Sequence, residues 1–170
     1  LRTKTPPAEE SAMQTTIVEA EPSRPDHDAL ARWRRSITWG NRAFDERDYP
    51  TAIAHYDAAV STAESMYGRL DDAEAGTAAW VVAHHNLADT YERLGRDCDQ
   101  CRHLCAAHAR LCDTMNRGGL PIRWQAAAQR HCRRTYAELT HFAARHPDDE
   151  AAREACQLGA AGATQGLPRQ

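Results

Sequence analysis

The sequence predicts an all-α fold of antiparallel helical hairpins, and three observations predict it. The chain of 170 residues is 42% hydrophobic with only two phenylalanines. Its many alanines suit a core of small residues packed closely between helices. Apolar residues recur at spacings of three and four wherever the pattern is regular, which is helical periodicity and not the alternation of strands. Glycine, proline and acidic breaks then divide that pattern into hairpin-sized pieces. The length suits one domain with a single core.

Residues 1–27 carry four prolines, scattered acids and little apolar periodicity, so they are expected to be a disordered tail. The helical domain is expected over 28–158. Leu30, Trp33, Ile37 and Gly40 mark a first helix. After a break at "ERDYP", Tyr49, Ile53, Tyr56, Val60 and Ala63 mark a second. A third begins near Gly76, carries Trp80, Val81, His84, Leu87, Ala88 and Tyr91 on one face, and stops at "RLGRD". There Gly95 can take the left-handed conformation that ends helices, and Asp97 can cap the helix that follows. After "RGGLP", Pro121 suits a first helical turn and a longer helix should run to about Arg145. His146-Pro147 ends it, and "DDEAAREAC" opens a short final helix with acids at its positive end. From Gly159 the chain is rich in glycine and small residues, so 159–170 is expected to be a flexible tail.

The first two hairpins repeat one another at an offset of 48 residues, from Trp39 to Leu87. In that register Trp39-Gly40 matches Leu87-Ala88, Arg47-Asp48-Tyr49 matches Gly95-Arg96-Asp97, Tyr56 matches Leu104, and Ala59 matches Ala107. Both segments resemble tetratricopeptide repeats. The first carries the large-then-small pair Trp39-Gly40, the acidic-aromatic turn Asp48-Tyr49, and the Ala52, Tyr56, Ala59 series of a second helix; the second carries "NLADTYERLG", Asn86 to Gly95. The family's period is about 34 residues, so the offset implies an insertion of roughly 14, expected as a longer helix after Ser65 and a loop around "RLDDAEAG". Residues 121–158 then read as a degenerate or capping unit.

The resemblance implies a concave surface built from first helices, on which peptides or partner proteins are held. Carried over by position, that surface presents Arg34, Ile37, Asn41, Phe44 and Asp45 from one hairpin, and Val82, His85, Asp89, Glu92 and Arg93 from the other. Asn41 stands where clamp-type members hold a peptide's terminal carboxylate with asparagine. Ile37 and His85 stand where those members place basic residues, so a carboxylate clamp is not expected. The mixed surface suits an amphipathic helix or extended peptide. Part of it is expected either to stay open or to be covered by the C-terminal helices.

The segment "CDQCRHLCAAHARLC" places four of the six cysteines within fifteen residues. At about 100 degrees per residue, Cys98, Cys101, Cys105, His108 and Cys112 share one stripe, while His103 points elsewhere. Cysteines there can fill alanine- and leucine-sized gaps, since a free thiol packs as a small hydrophobe. The sharper alternative is a thiol-rich metal binder for Cu(I) or Zn using Cys98, Cys101, Cys105, His108, Cys112 and Cys132, with Cys132 and His131 reaching in from the next helix. A third reading takes "CDQC" as a redox pair whose thiol is activated at a helix start, although such motifs normally follow a strand.

Other chemistry finds no support. Phosphate-binding, esterase and zinc-protease motifs are missing from the sequence. His84 reads as a hydrogen-bonded core histidine, and Asp71-Asp72 and Asp148-Asp149 read as solvated or capping pairs. With a net charge of −3 and no basic tract beyond Arg130, Arg133 and Arg134, neither nucleic acid nor membrane is expected as a partner. No cofactor is expected, and free thiols in a bacterial cytoplasm are. The expectation is therefore a non-enzymatic scaffold for a protein or peptide partner, as a monomer or homodimer.

Overall fold

The structure, a computed structural model, describes residues 24–116 and 119–164, with the side chains of 26–116 and 119–158. The described residues form six helices and no strand: α1 (Arg24–Asp45), α2 (Tyr49–Met66), α3 (Ala73–Arg93), α4 (Asp97–Asn116), α5 (Ile122–Arg145) and α6 (Glu150–Thr164). Sequential helices pack against one another as antiparallel hairpins, with α5 also lying along α3 and α6 along α4. The fold class is the expected one. Two boundaries differ. Helix α1 begins four residues inside the expected tail, whose residues 1–23 lie outside the described chain. Helix α6 continues past Gly159 to Thr164, and of the expected second tail only 165–170 lie outside the description.

The repeat read from the sequence has a backbone counterpart. Arg47 and Gly95 occupy matching positions of the two turns, and both are left-handed, at φ 62 and φ 65. That conformation lets a helix stop and the chain reverse within three residues. Asp48 then caps α2, its side chain accepting from the Thr51 N–H at 3.3 Å. In the second turn Arg96 takes the matching place, its carbonyl accepting from the Gln100 N–H at 3.0 Å, while Asp97 is already helical. Asp97 is therefore a first-turn acid near the positive helix end and not the cap.

Packing repeats as well. In the first hairpin the Tyr56 ring lies so close over Gly40 that a Cβ there would collide with it. In the second, Leu104 faces Ala88 in the matching positions of a cluster with Cys101, Leu139, Phe142 and Ala152. A smaller large residue leaves room for a larger small one. Trp39 departs from this scheme: it is 52% exposed and stacks on His55 instead of packing inward.

The insertion is not placed as expected. Helix α2 ends at Met66, and the loop stops at Asp72, which caps α3 by accepting from the Ala75 N–H at 2.9 Å. Much of "RLDDAEAG" is thus the first turn of α3, because Asp72 supplies a cap and the following alanines favour helix.

Helix α5 closes the stack. Pro121 stands just before it, and its fully buried Trp124 fills the space over Gly76, with its ring 4.9 Å from that of Tyr67. Two charged groups tie α5 to α3: Glu74 accepts from Arg130 and His131, and Arg145 donates to Glu92. Asp149 caps α6 by accepting from the Ala152 N–H at 2.9 Å.

Candidate functional site

Along the inner side α3 and α5 are joined, whereas α1 and α3 meet at few points. A cleft of about 270 Å³ opens there, lined by Asn41, Phe44, Asp45, Tyr56, Asn86 and Asp89. Its floor is a small amide network. The Asn41 side-chain oxygen accepts from the Tyr56 hydroxyl at 2.8 Å and from the Asn86 amide at 3.3 Å. Both bonds fix Asn41 with its acceptor turned inward. Asp45 and Asp89 add negative charge at the rim, and burial, with these two charges second to it, pushes the Tyr56 hydroxyl up to about 12. Asp89 is solvent-accessible, yet desolvation by the surrounding helices and the charges of Glu138 and Glu92 raise its carboxyl above the usual range.

The residues expected on the inner surface divide between open and covered places. Asn41, Phe44 and Asp89 line the cleft. Arg34 and Arg93 are exposed, and Val82 is half-buried. Ile37 packs on the Ala43–Tyr56 cluster, and Glu92 is held by Arg145. His85 is only 7% exposed, and burial, with the charge of Arg134 on α5 adding to it, lowers it to about 4. Tyr56 and Asn86 belong to the cleft but were not among the expected contacts. Tyr56 looks like a packing residue in sequence, and only the turn of its hydroxyl toward Asn41 gives it a second role.

The cysteine stripe does not stay together. Cys98 is exposed. Its C-x-x-C companion Cys101 is buried, 3.7 Å from the Cys105 sulfur, and donates to Asp149 at 3.4 Å. Burial pushes the thiols of Cys101 and Cys105 upward, away from the thiolate form. These two sulfurs serve the junction of α4 with the start of α6. One half of the stripe is therefore packing.

The other half faces α5. His108, Cys112 and Cys132 offer three ligand atoms within 4.8 Å of one another. His108 is 2% exposed, and both cysteines are half-buried. His108 Nε2 lies 3.4 Å from the Cys112 sulfur, and Nδ1 lies 2.9 Å from the Thr135 hydroxyl. The Cys132 thiol beside it and the His108 imidazole hold the Cys112 sulfur below the usual thiol range, while the same pairing and burial raise Cys132. Thr135 carries no sequence signal, since a threonine in mid-helix is unremarkable until its neighbour across the interface is known. His131, the other residue expected to reach in, bonds Glu74 instead.

His103 lies off the stripe, as expected, and is buried on the other side of α4, with Nδ1 3.1 Å from that of His84 and its ring stacked on Tyr91. Helix α4 packs against α3, α5 and α6, so it buries a second face besides the stripe. His84 does sit in the core, bonded to His103.

The family described as "Protein of unknown function (DUF2753)" matches residues 31–166. The chain belongs to the DUF2753 family. No curated protein and no solved structure matches it. The DUF2753 match runs from α1 into the end of α6, so it takes in both the cleft and the histidine–thiol group. Among the described residues, no helix is long and apolar enough to cross a membrane.

Proposed function

We propose that this chain is a non-enzymatic interaction module, a tetratricopeptide-like stack that holds a peptide or helix of a protein partner between α1 and α3. The observation that carries this reading is the open cleft between α1 and α3 with two carboxylates, Asp45 and Asp89, in its lining. Such a lining suits a positively charged side chain, which the two carboxylates can meet with charge-assisted hydrogen bonds. Phe44 supplies an apolar wall against which the stem of a lysine or arginine can lie. The exposed Arg93, four residues after the cleft's Asp89 on α3, would favour an acidic residue beside the basic anchor.

The test is binding of a blocked oligopeptide library, with one position fixed as Arg, Lys, Glu or Leu, to the full chain. Arg and Lys peptides are expected to be retained above the others, with the preference lost in Asp45→Asn and Asp89→Asn. Retention without charge preference, or a preference unchanged in both variants, would overturn the reading.

A further inference from the structure

We propose that His108, Cys112 and Cys132 form a binding site for one thiophilic d10 ion, Zn(II) or Cu(I), that clips α5 to α4. The inference stands apart from the peptide-binding reading, since the cleft and this group share no residue.

Geometry carries it. His108 and Cys112 lie four residues apart, so one face of α4 presents both, and Cys132 comes to them from α5. Around a tetrahedral zinc, bond lengths of about 2.3 Å to sulfur and 2.0–2.1 Å to nitrogen put ligand atoms roughly 3.5–3.8 Å from one another. The Cys112 sulfur and His108 Nε2 are already 3.4 Å apart, the Cys132 sulfur lies 4.0 Å from Nδ1 and has the farther to move, and the three ligand atoms lie within 4.8 Å of one another. Closing on an ion thus requires side-chain movements on the order of 1 Å, within reach of χ rotation.

The second observation is the orientation of the imidazole. Thr135 Oγ1 donates to the Cys132 carbonyl at 3.0 Å and lies 2.9 Å from His108 Nδ1. A hydroxyl has one proton, so with that proton on the carbonyl it accepts from Nδ1–H. The Nε2 lone pair is then the one that faces Cys112. Ligating histidines are typically fixed in this way, with the outer nitrogen bonded to an oxygen that sets the tautomer and ring direction. Thr135 is a positioning residue for the site.

The donor set selects the ion. Two thiolates and an imidazole suit Zn(II) and Cu(I) and are poor ligands for Mg(II) or Ca(II). Cu(I) is satisfied by three ligands, and Zn(II) would add a water on the half-exposed side where both cysteines reach solvent. Both sulfurs bind as thiolates, any proton they still carry passing to solvent, and no change of oxidation state is involved. Cys101 and Cys105 take no part, because their sulfurs are turned to Asp149 and the Ala151 carbonyl.

The experiment is anaerobic titration of the reduced full chain with Zn(II), and separately with Cu(I), against a chromophoric chelator. One equivalent of at least one ion is expected to bind, with an X-ray absorption shell of two sulfurs and one nitrogen. Cys112→Ser and Cys132→Ser should abolish stoichiometric binding, and the double variant Cys101→Ser/Cys105→Ser should retain it. Thr135→Val should weaken affinity by roughly 10–100-fold while leaving two sulfurs in the shell. A cysteine variant that fails to fold is bypassed by alkylating the wild-type chain: the ion should slow labelling of Cys112 and Cys132 and leave that of Cys98 unchanged. Absence of stoichiometric binding of both ions, binding that survives loss of Cys112 and Cys132, or unaltered labelling would each overturn the proposal.

Discussion

Gly40 and Arg47 show what single residues decide in the first hairpin. A Cβ at Gly40 would meet the buried Tyr56 ring, which cannot swing aside because its hydroxyl is bonded to Asn41. Gly40→Ala is expected to cost about 1–3 kcal/mol in urea unfolding, the usual range for overpacking. Adding Tyr56→Leu copies the Ala88–Leu104 pairing of the second hairpin and should recover part of that loss, a coupling that a double-mutant cycle measures. Arg47 is a side-chain-bearing residue in the left-handed region, where its partner in the repeat is glycine. Arg47→Gly should therefore stabilise the chain by roughly 0.5–1 kcal/mol, read as a higher unfolding midpoint. The large-and-small pairing was legible in the sequence. The exposed Trp39 was not, because periodicity marks an apolar position without saying whether a neighbour covers it.

At the scale of elements, α5 governs both the core and the thiols. Trp124 is fully buried between Gly76 and Tyr67, at the point where α5 crosses the start of α3. Trp124→Ala should cost about 3–5 kcal/mol and loosen α5 as a unit, seen as faster amide exchange over 122–145 than over α1 and α2. The beginning, proline and end of α5 could be read from "RGGLP" and His146-Pro147, since those breakers act locally. Its contacts could not. That His85 is covered, that Cys132 meets Cys112 and that Thr135 meets His108 all depend on how α5 lies across α3 and α4.

The whole molecule carries a pH dependence that follows from its buried imidazoles. Desolvation lowers His84 to about 3 and His85 and His103 to about 4, against about 6.5 in an unfolded chain. Between pH 6.5 and about 4 the unfolded chain therefore binds more protons at these three sites, and stability falls as pH falls through that window. Asp57 and Asp89, both raised by desolvation, oppose the trend as they take up protons, but two groups act against three. Chemical denaturation midpoints are expected to drop steadily from pH 7 to pH 4.5. Replacing His103 by glutamine should flatten the curve, because it removes one of the three and leaves His84 facing a neutral amide.

The sequence by itself determined the helices, the turns between them and the 48-residue repeat, because caps, breakers and periodicity act over distances of a few residues. It also marked the cysteine-rich helix as unusual. Only the tertiary structure decided which sulfurs meet a histidine and which meet an aspartate, where the inner side stays open, and that His103 is buried. A helix has several faces, and the sequence gives their order around the axis. The packing of α3, α5 and α6 on α4 fixes which face meets which neighbour, and that depends on contacts between residues far apart in the chain.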